Sequence, residues 1–251
     1  MPSSTYCICT TPRSGSNLLM FTLKQQGIGL PDEYFNHNRI DLKWYLEQHF
    51  NIVLDKDAFI RGLERFPNEP ELLRQHTVNL QKNRLSDNGI FGSKIFAGDL
   101  LLDTENWKLV YTTLSPKPRI IHLIRDNLVE QAVSYYVAAN KNEWFLDRDN
   151  SLSEMNAIPY DYKVIRRIVK TLKQGNEFWN QVLDHTESNT LRVTYTQLST
   201  DFTGSIQQIN AFLGFAGIPV PEPPIRKQTD PIKEQLISMF MEDVRRKMKR
   251  K

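Results

Sequence analysis

Thr10-Thr11-Pro12-Arg13-Ser14-Gly15-Ser16-Asn17 is the stretch of this chain whose residue types best suit gripping an anion. Gly15 lets the backbone approach a phosphate closely. A helix starting just beyond it would present unpaired N–H groups and the positive end of a dipole. Ser14, Ser16 and Asn17 can donate further hydrogen bonds, and Arg13 adds a fixed charge able to hold anionic oxygens in a bidentate grip. A serine-rich loop that only caps a helix has the same composition, so these residues alone leave both readings open. They disfavour a nucleoside-triphosphate kinase. Its loop needs Gly-x-x-x-x-Gly-Lys-Ser/Thr, whose lysine reaches the β/γ phosphates, and this loop has no such lysine.

Such a loop works only between a strand and a helix. Tyr6 to Thr10 is short and β-prone, and Asn17 to Gln26 has helical character, stopped by Gly27 and Gly29. Residues 41–83 read as two or three helices, broken near Asp55 and around Pro67 and Pro70. Ile90 to Phe96 reads as a second strand, followed by a helix from Asp99 to about Leu114. After the Pro116-Lys117-Pro118 break, the apolar run Arg119 to Ile124 suits a buried parallel strand. A helix from about Leu128 to Asn140 follows, then a polar loop over 142–159. Ile165, Ile168, Leu172, Trp179 and Leu183 recur at spacings of three, four and seven, which predicts a long amphipathic helix from Asp161 to His185. Thr190 to Thr194 reads as a strand and Phe202 to Leu213 as a helix. A proline-rich connector (Pro219, Pro221, Pro223, Pro224) leads to a last helix from Pro231. Strands alternating with helices predict an α/β fold: a single domain, with a mainly parallel β-sheet flanked by helices on both faces. In such sheets ligands bind beyond the C-terminal ends of the strands, where Thr10 to Asn17 would lie.

At 251 residues the chain can bury a substantial core, and 40% hydrophobic with 24% charged residues is ordinary for a globular enzyme. A net charge of +3 is too small to argue for nucleic acid and suits an anionic ligand. No apolar run approaches the roughly 18 residues of a membrane span. The N-terminus lacks the basic and apolar regions of a signal peptide, so a cytoplasmic location is expected. Cys7 and Cys9, two apart in a strand, make a poor disulfide and read as buried reduced thiols. The five histidines show no ligand spacing, so no metal is expected. Six of the last seven residues are basic: Arg245, Arg246, Lys247, Lys249, Arg250 and Lys251. They read as a helix end favoured by the dipole rather than as a membrane or nucleic-acid tail.

Thr11 to Asn17 also resembles the 5′-phosphosulfate loop of sulfotransferases, most nearly the bacterial Stf0 family, whose described member sulfates trehalose. Further matches occur in order. Pro31-Asp32-Glu33-Tyr34-Phe35 resembles the family's Glu-aromatic-Phe segment, and Phe91-Gly92-Ser93-Lys94 its Gly-x-Lys strand. Arg125 with Gln131-Ala132-Val133-Ser134 resembles the 3′-phosphate element. Tyr195-x-x-Leu198 resembles the Tyr-x-x-Leu turn, and Lys227-Gln228-Thr229-Asp230 the late Arg-Gln-x-Asp segment. The departures are one extra residue between Arg125 and Ser134, Asp126 where a second arginine is common, and Lys227 in place of arginine.

The resemblance implies a P-loop-like sulfotransferase fold and the phosphosulfate donor PAPS. It implies that Thr11, Pro12, Arg13, Ser14, Gly15, Ser16 and Asn17 hold the donor's 5′ end. Arg125 and Ser134 would hold its 3′-phosphate, and Tyr195, Lys227 and Gln228 would complete the site. Glu33 would take the acceptor proton, with His37 in reserve, and Arg13 would counter charge on the leaving phosphate. Lys94 would touch donor or acceptor, or be a surface lysine at a strand end. Arg125 can alternatively pair with Asp126 or Glu130. His122 reads as a hydrogen-bonded core histidine. The acceptor would be a hydroxyl-bearing small molecule, a carbohydrate or a glycolipid; a homodimer is compatible with this reading. The alternatives are a non-catalytic PAPS- or PAP-binding protein and, less favoured, a nucleotide-dependent kinase.

Overall fold

In the computed structural model the described residues are 2–36, 69–142, 144, 158–184, 189–225 and 231–249. The expectations for 41–68, for His37, for most of 142–157 and for Lys227 and Gln228 lie outside them.

Four strands form one sheet: β1 (Ser4–Thr10), β2 (Ile90–Phe96), β3 (Arg119–Ile124) and β4 (Thr190–Thr194). Their order is β2-β1-β3-β4, and every pairing is parallel. The chain leaves β1 toward β2 and then crosses to β3 on the other side. The C-terminal end of β1 therefore lies at a topological switch point, where the flanking connections diverge and leave a crevice.

Helices cover both faces. Alternation along β1 sends Cys7 and Cys9 to one face, where they pack with Phe91, Ile95, Trp107 and Trp179, and sends Tyr6 and Ile8 to the other, with Leu19, Leu23, Ile121 and Ile206. The first face is covered by α2 (Pro70–Asn83), α3 (Thr104–Thr113) and the C-terminal half of α5 (Tyr162–Leu183). The second is covered by α1 (Ser16–Gln25) and α7 (Phe202–Leu213), with the short α6 (Tyr195–Thr200) between β4 and α7. A third apolar cluster joins α4 (Leu128–Lys141), the N-terminal half of α5 and α8 (Pro231–Met248).

Three expectations are corrected. The helix from Asp99 is two elements, a 3-10 turn Ala97–Leu100 and then α3, because Leu101 and Leu102 adopt left-handed backbone (φ 57 and 55) and Asp103 starts a fresh helix by accepting from Glu105 N at 2.9 Å. The Tyr195-x-x-Leu198 turn is one and a half turns of helix, capped by Thr194. His122 is buried in β3 as expected, but neither ring nitrogen has a hydrogen-bond partner. Burial, and next Arg192, push its imidazole down to about 4, so it stays neutral. Cys7 and Cys9 are free and buried, and burial raises the Cys7 thiol to about 12. No helix among the described residues is long and apolar enough to cross a membrane.

Candidate active site

The loop between β1 and α1 is held from beneath by its own side chains. Thr10 Oγ1 donates to the Leu123 carbonyl at 2.6 Å and is paired with Ser14 Oγ at 2.6 Å. Thr11 Oγ1 donates to Asn176 Oδ1 at 3.1 Å and accepts from Gln131 Nε2 at 2.9 Å, while Gln131 also donates to the Pro12 carbonyl at 2.7 Å. Trp179 Nε1 donates to the Thr10 carbonyl at 2.7 Å. The hydroxyl of Ser14, expected as a ligand donor, is thus spent anchoring the loop, as is that of Thr11, and what those residues can offer a ligand is backbone.

That backbone is curled. Arg13 (φ 64) and Gly15 (φ 89, ψ 7) are both left-handed, the arrangement that makes anion-binding concavities of successive N–H groups. Gly15 is the N-cap of α1, and no side chain caps that helix. Glycine is needed here twice over. Its φ is one that side chains rarely adopt, and a Cβ would lie 2.6 Å from Tyr195 Cδ2.

Two arginines meet at this loop. Arg13 Nε donates to Ser134 Oγ at 3.1 Å, and its Nη1 donates to the Trp144 carbonyl. Arg125 Nη1 donates to the Arg13 carbonyl at 3.2 Å, and its guanidinium lies 4.6 Å above the Tyr195 ring. Arg125 also pairs with half-exposed Glu130 at 3.3 Å, so of its two alternative partners Glu130 is the one used. Burial, and then the charge of Arg125, lower the Arg13 guanidinium to about 10. An anionic oxygen between the two cations would relieve that repulsion.

On the β2 side, residues 31–33 run beside the strand, with Lys94 N donating to the Asp32 carbonyl at 2.9 Å. This places Glu33 Oε1 2.6 Å from Lys94 Nζ, and Asn36 Nδ2 donates to Glu33 Oε2 at 2.8 Å. Lys94 Nζ also donates to Asn17 Oδ1 at the start of α1. The Lys94 side chain is 0% exposed, so it is no surface lysine, and Glu33 is no solvated loop residue. Burial lowers the Lys94 ammonium against the opposing pull of Glu33. Nearby Asp99 accepts from Phe96 N at 2.9 Å; burial is the main cause that raises its carboxyl to about 7.

Glu33, Lys94, Asn17, Arg13, Ser134, Arg125 and Tyr195 are therefore linked around one loop: Lys94 comes from β2, Asn17 from α1, Arg125 from just past β3, Ser134 from α4, Tyr195 from α6 and Glu33 from the segment after α1. Asn176 and Trp179 were not singled out as site residues. They share one face of α5 with Gly175, whose Cβ would lie 2.7 Å from Thr11 Cγ2. The 3.6-residue period reveals that face, but not that a loop is what it meets.

A family model described as Stf0 sulphotransferase matches residues 5–243. The trehalose 2-sulfotransferase of Mycolicibacterium smegmatis is 22% identical, over 96% of each chain. Its namesake from Mycobacterium tuberculosis is 20% identical, over 94% of this chain and 93% of that one. Among solved structures, sulfotransferase STF9 from Mycobacterium avium superposes with a TM-score of 0.51 at 10% identity, covering 97% of this chain and 69% of that one. The sulfotransferase domain from the curacin biosynthetic pathway does so at 0.50 and 16% identity, covering 92% and 79%.

Proposed function

Because the chain belongs to the Stf0 sulphotransferase family of sulfuryl-transferring enzymes, we propose that it moves a sulfuryl group from PAPS to a hydroxyl of a carbohydrate or glycolipid. The observation that carries this reading is the Lys94 ammonium, bonded both to Glu33 at 2.6 Å and to Asn17 of the loop. The candidate base and the candidate donor site are thereby parts of one site. The trehalose 2-sulfotransferase names of the two mycobacterial relatives support a sugar acceptor.

PAPS supplies the activated sulfuryl group, and the loop suits it. The loop's left-handed turns and the uncapped start of α1 direct N–H groups at one place, and Arg13 and Arg125 bring two cations to it. Sulfuryl transfer, like phosphoryl transfer, passes through a loose in-line transition state, so positioning and charge stabilisation do most of the work. Glu33 takes the proton of the acceptor hydroxyl as its oxygen bonds to sulfur. Arg13 and the loop N–H groups receive the charge left on the 5′-phosphate as the bridging S–O bond breaks. Lys94 and Asn36 each hold one Glu33 oxygen, fixing the carboxylate plane while leaving lone pairs for the hydroxyl. Arg125, braced on Tyr195, holds the 3′-phosphate.

The donor assignment is tested by thermal unfolding with PAP and with ATP plus magnesium. A ligand that binds only the folded chain raises its melting temperature by mass action. PAP should raise it clearly and ATP with magnesium much less. Equal shifts would contradict a loop built for PAPS.

A further inference from the structure

Along the outer face of α5, Lys163, Arg166, Arg167 and Lys170 are all exposed, within about two turns of one another. No acid lies between Asp161 and Glu177. Among the described residues, the one ion pair along this helix is Lys173 with Glu177, at 3.6 Å. This face works against its own helix. Lys163 stands at the positive end of the dipole, and Lys163 with Arg167, like Arg166 with Lys170, sets equal charges four residues apart. The basic end of α8 continues the face. Lys247 Nζ lies 3.2 Å from the centre of the Tyr162 ring, which opens α5, and Arg245 and Lys249 are exposed on the same stretch of helix. Between Lys247 and Lys249, Met248 is 73% exposed. The dipole favours cations at the end of α8 but gives no reason for those on α5.

We propose that the joined cationic face of α5 and α8 docks on an anionic lipid bilayer and there meets a membrane-held glycolipid, one of the two acceptor classes proposed above. The proposal rests on the sulfotransferase reading and deepens it. Cations that repel one another along a helix are stabilised when a sheet of anionic headgroups lies across them, and each Lys or Arg at such a surface strengthens the hold. Met248 favours the bilayer over nucleic acid, the other polyanion that suits such a face. An apolar side chain among lysines gains by entering the boundary between headgroups and acyl chains, and gains nothing against a phosphate backbone. The face is also close to the donor loop. Six residues, about 9 Å of helix, separate Lys170 from Asn176, which accepts from Thr11 at 3.1 Å. Helix α4, whose Ser134 accepts from Arg13, packs on the first half of α5.

The test is sedimentation of the full chain with vesicles of phosphatidylcholine, alone or mixed with phosphatidylglycerol, beside PAP binding by calorimetry. It compares the wild type with the quadruple variant Lys163→Gln, Arg166→Gln, Arg167→Gln, Lys170→Gln. The wild type should bind the anionic vesicles at least about tenfold more tightly than the neutral ones, and leave them as salt rises and screens each cation. The quadruple variant should bind the anionic vesicles about tenfold or more weakly, while PAP binds both chains within about twofold. Equal affinity for both kinds of vesicle, or a quadruple variant that binds anionic vesicles like the wild type, would overturn the docking face. So would a DNA duplex that strips the wild type from the vesicles at equal phosphate, which would give the face to nucleic acid. A wild type that binds PAP but no vesicle would lose the face and keep the donor reading. One that binds no PAP would remove that reading, and the membrane-held acceptor with it.

Discussion

At Glu33 each carboxylate oxygen has one donor, Lys94 at 2.6 Å and Asn36 at 2.8 Å. Glu33→Gln keeps the shape and loses the basicity. Turnover should fall about 10²–10⁴-fold with PAP affinity retained, as single-turnover kinetics and calorimetry would report. The same change leaves the buried Lys94 ammonium without its carboxylate. It should lower the unfolding free energy by roughly 1–3 kcal/mol, measured by denaturant titration. Asp99 offers a pH test. Its ordinary value is 3.8, and the folded chain holds its proton up to about 7. Between those values the native state binds more protons than the unfolded one, so this carboxyl's contribution to stability is full below the first and lost as pH rises through the second. Asp99→Asn keeps an oxygen for Phe96 N and removes the titration. From about pH 5 to about pH 8 its denaturation midpoint should decline less than that of the wild type. Identical slopes would place the titration elsewhere. None of this burial is written in Lys94 or Glu33 themselves. It arises because residues 31–33, distant in sequence, lie along β2.

Helix α5 spans 22 residues, with its first half in the cluster shared with α4 and α8 and its second half against the loop. Gly175 lies where helix and loop touch. Alanine there would favour the helix by roughly 0.5–1 kcal/mol. Its Cβ, however, would lie 2.7 Å from Thr11 Cγ2, and Thr11 is held in place by Asn176 and Gln131. Gly175→Ala should therefore lower both the melting temperature and PAP affinity, the latter about tenfold. A stabilised variant with unchanged PAP binding would show that the loop does not depend on this contact. The elements themselves were largely legible. Ile90–Phe96, Arg119–Ile124, Thr190–Thr194 and Phe202–Leu213 begin and end where the sequence places them, because apolar runs bounded by Pro, Gly and polar residues mark them. The break before α3 was not. Leu101 and Leu102 carry no glycine, proline or asparagine to announce left-handed backbone.

Across the molecule, the parallel sheet brings the β1–α1 loop, Lys94 and Arg125 to the C-terminal ends of adjoining strands, and the crossover between β2 and β3 opens the crevice between them. The place of Thr10–Asn17 between a strand and a helix was readable because Pro, Gly and polar residues mark such a turn locally. The roles of its side chains were not, since Thr11 and Ser14 turn inward to partners on α5 and β1. The central claim is transfer from PAPS to a sugar, and it is tested most directly by following the sulfuryl group. PAPS labelled at sulfur, incubated with the chain and a panel of sugars including trehalose, should give a labelled sugar and PAP in equal amounts. PAP bound tightly with no labelled sugar from any member of the panel, or label released only as inorganic sulfate, would contradict it.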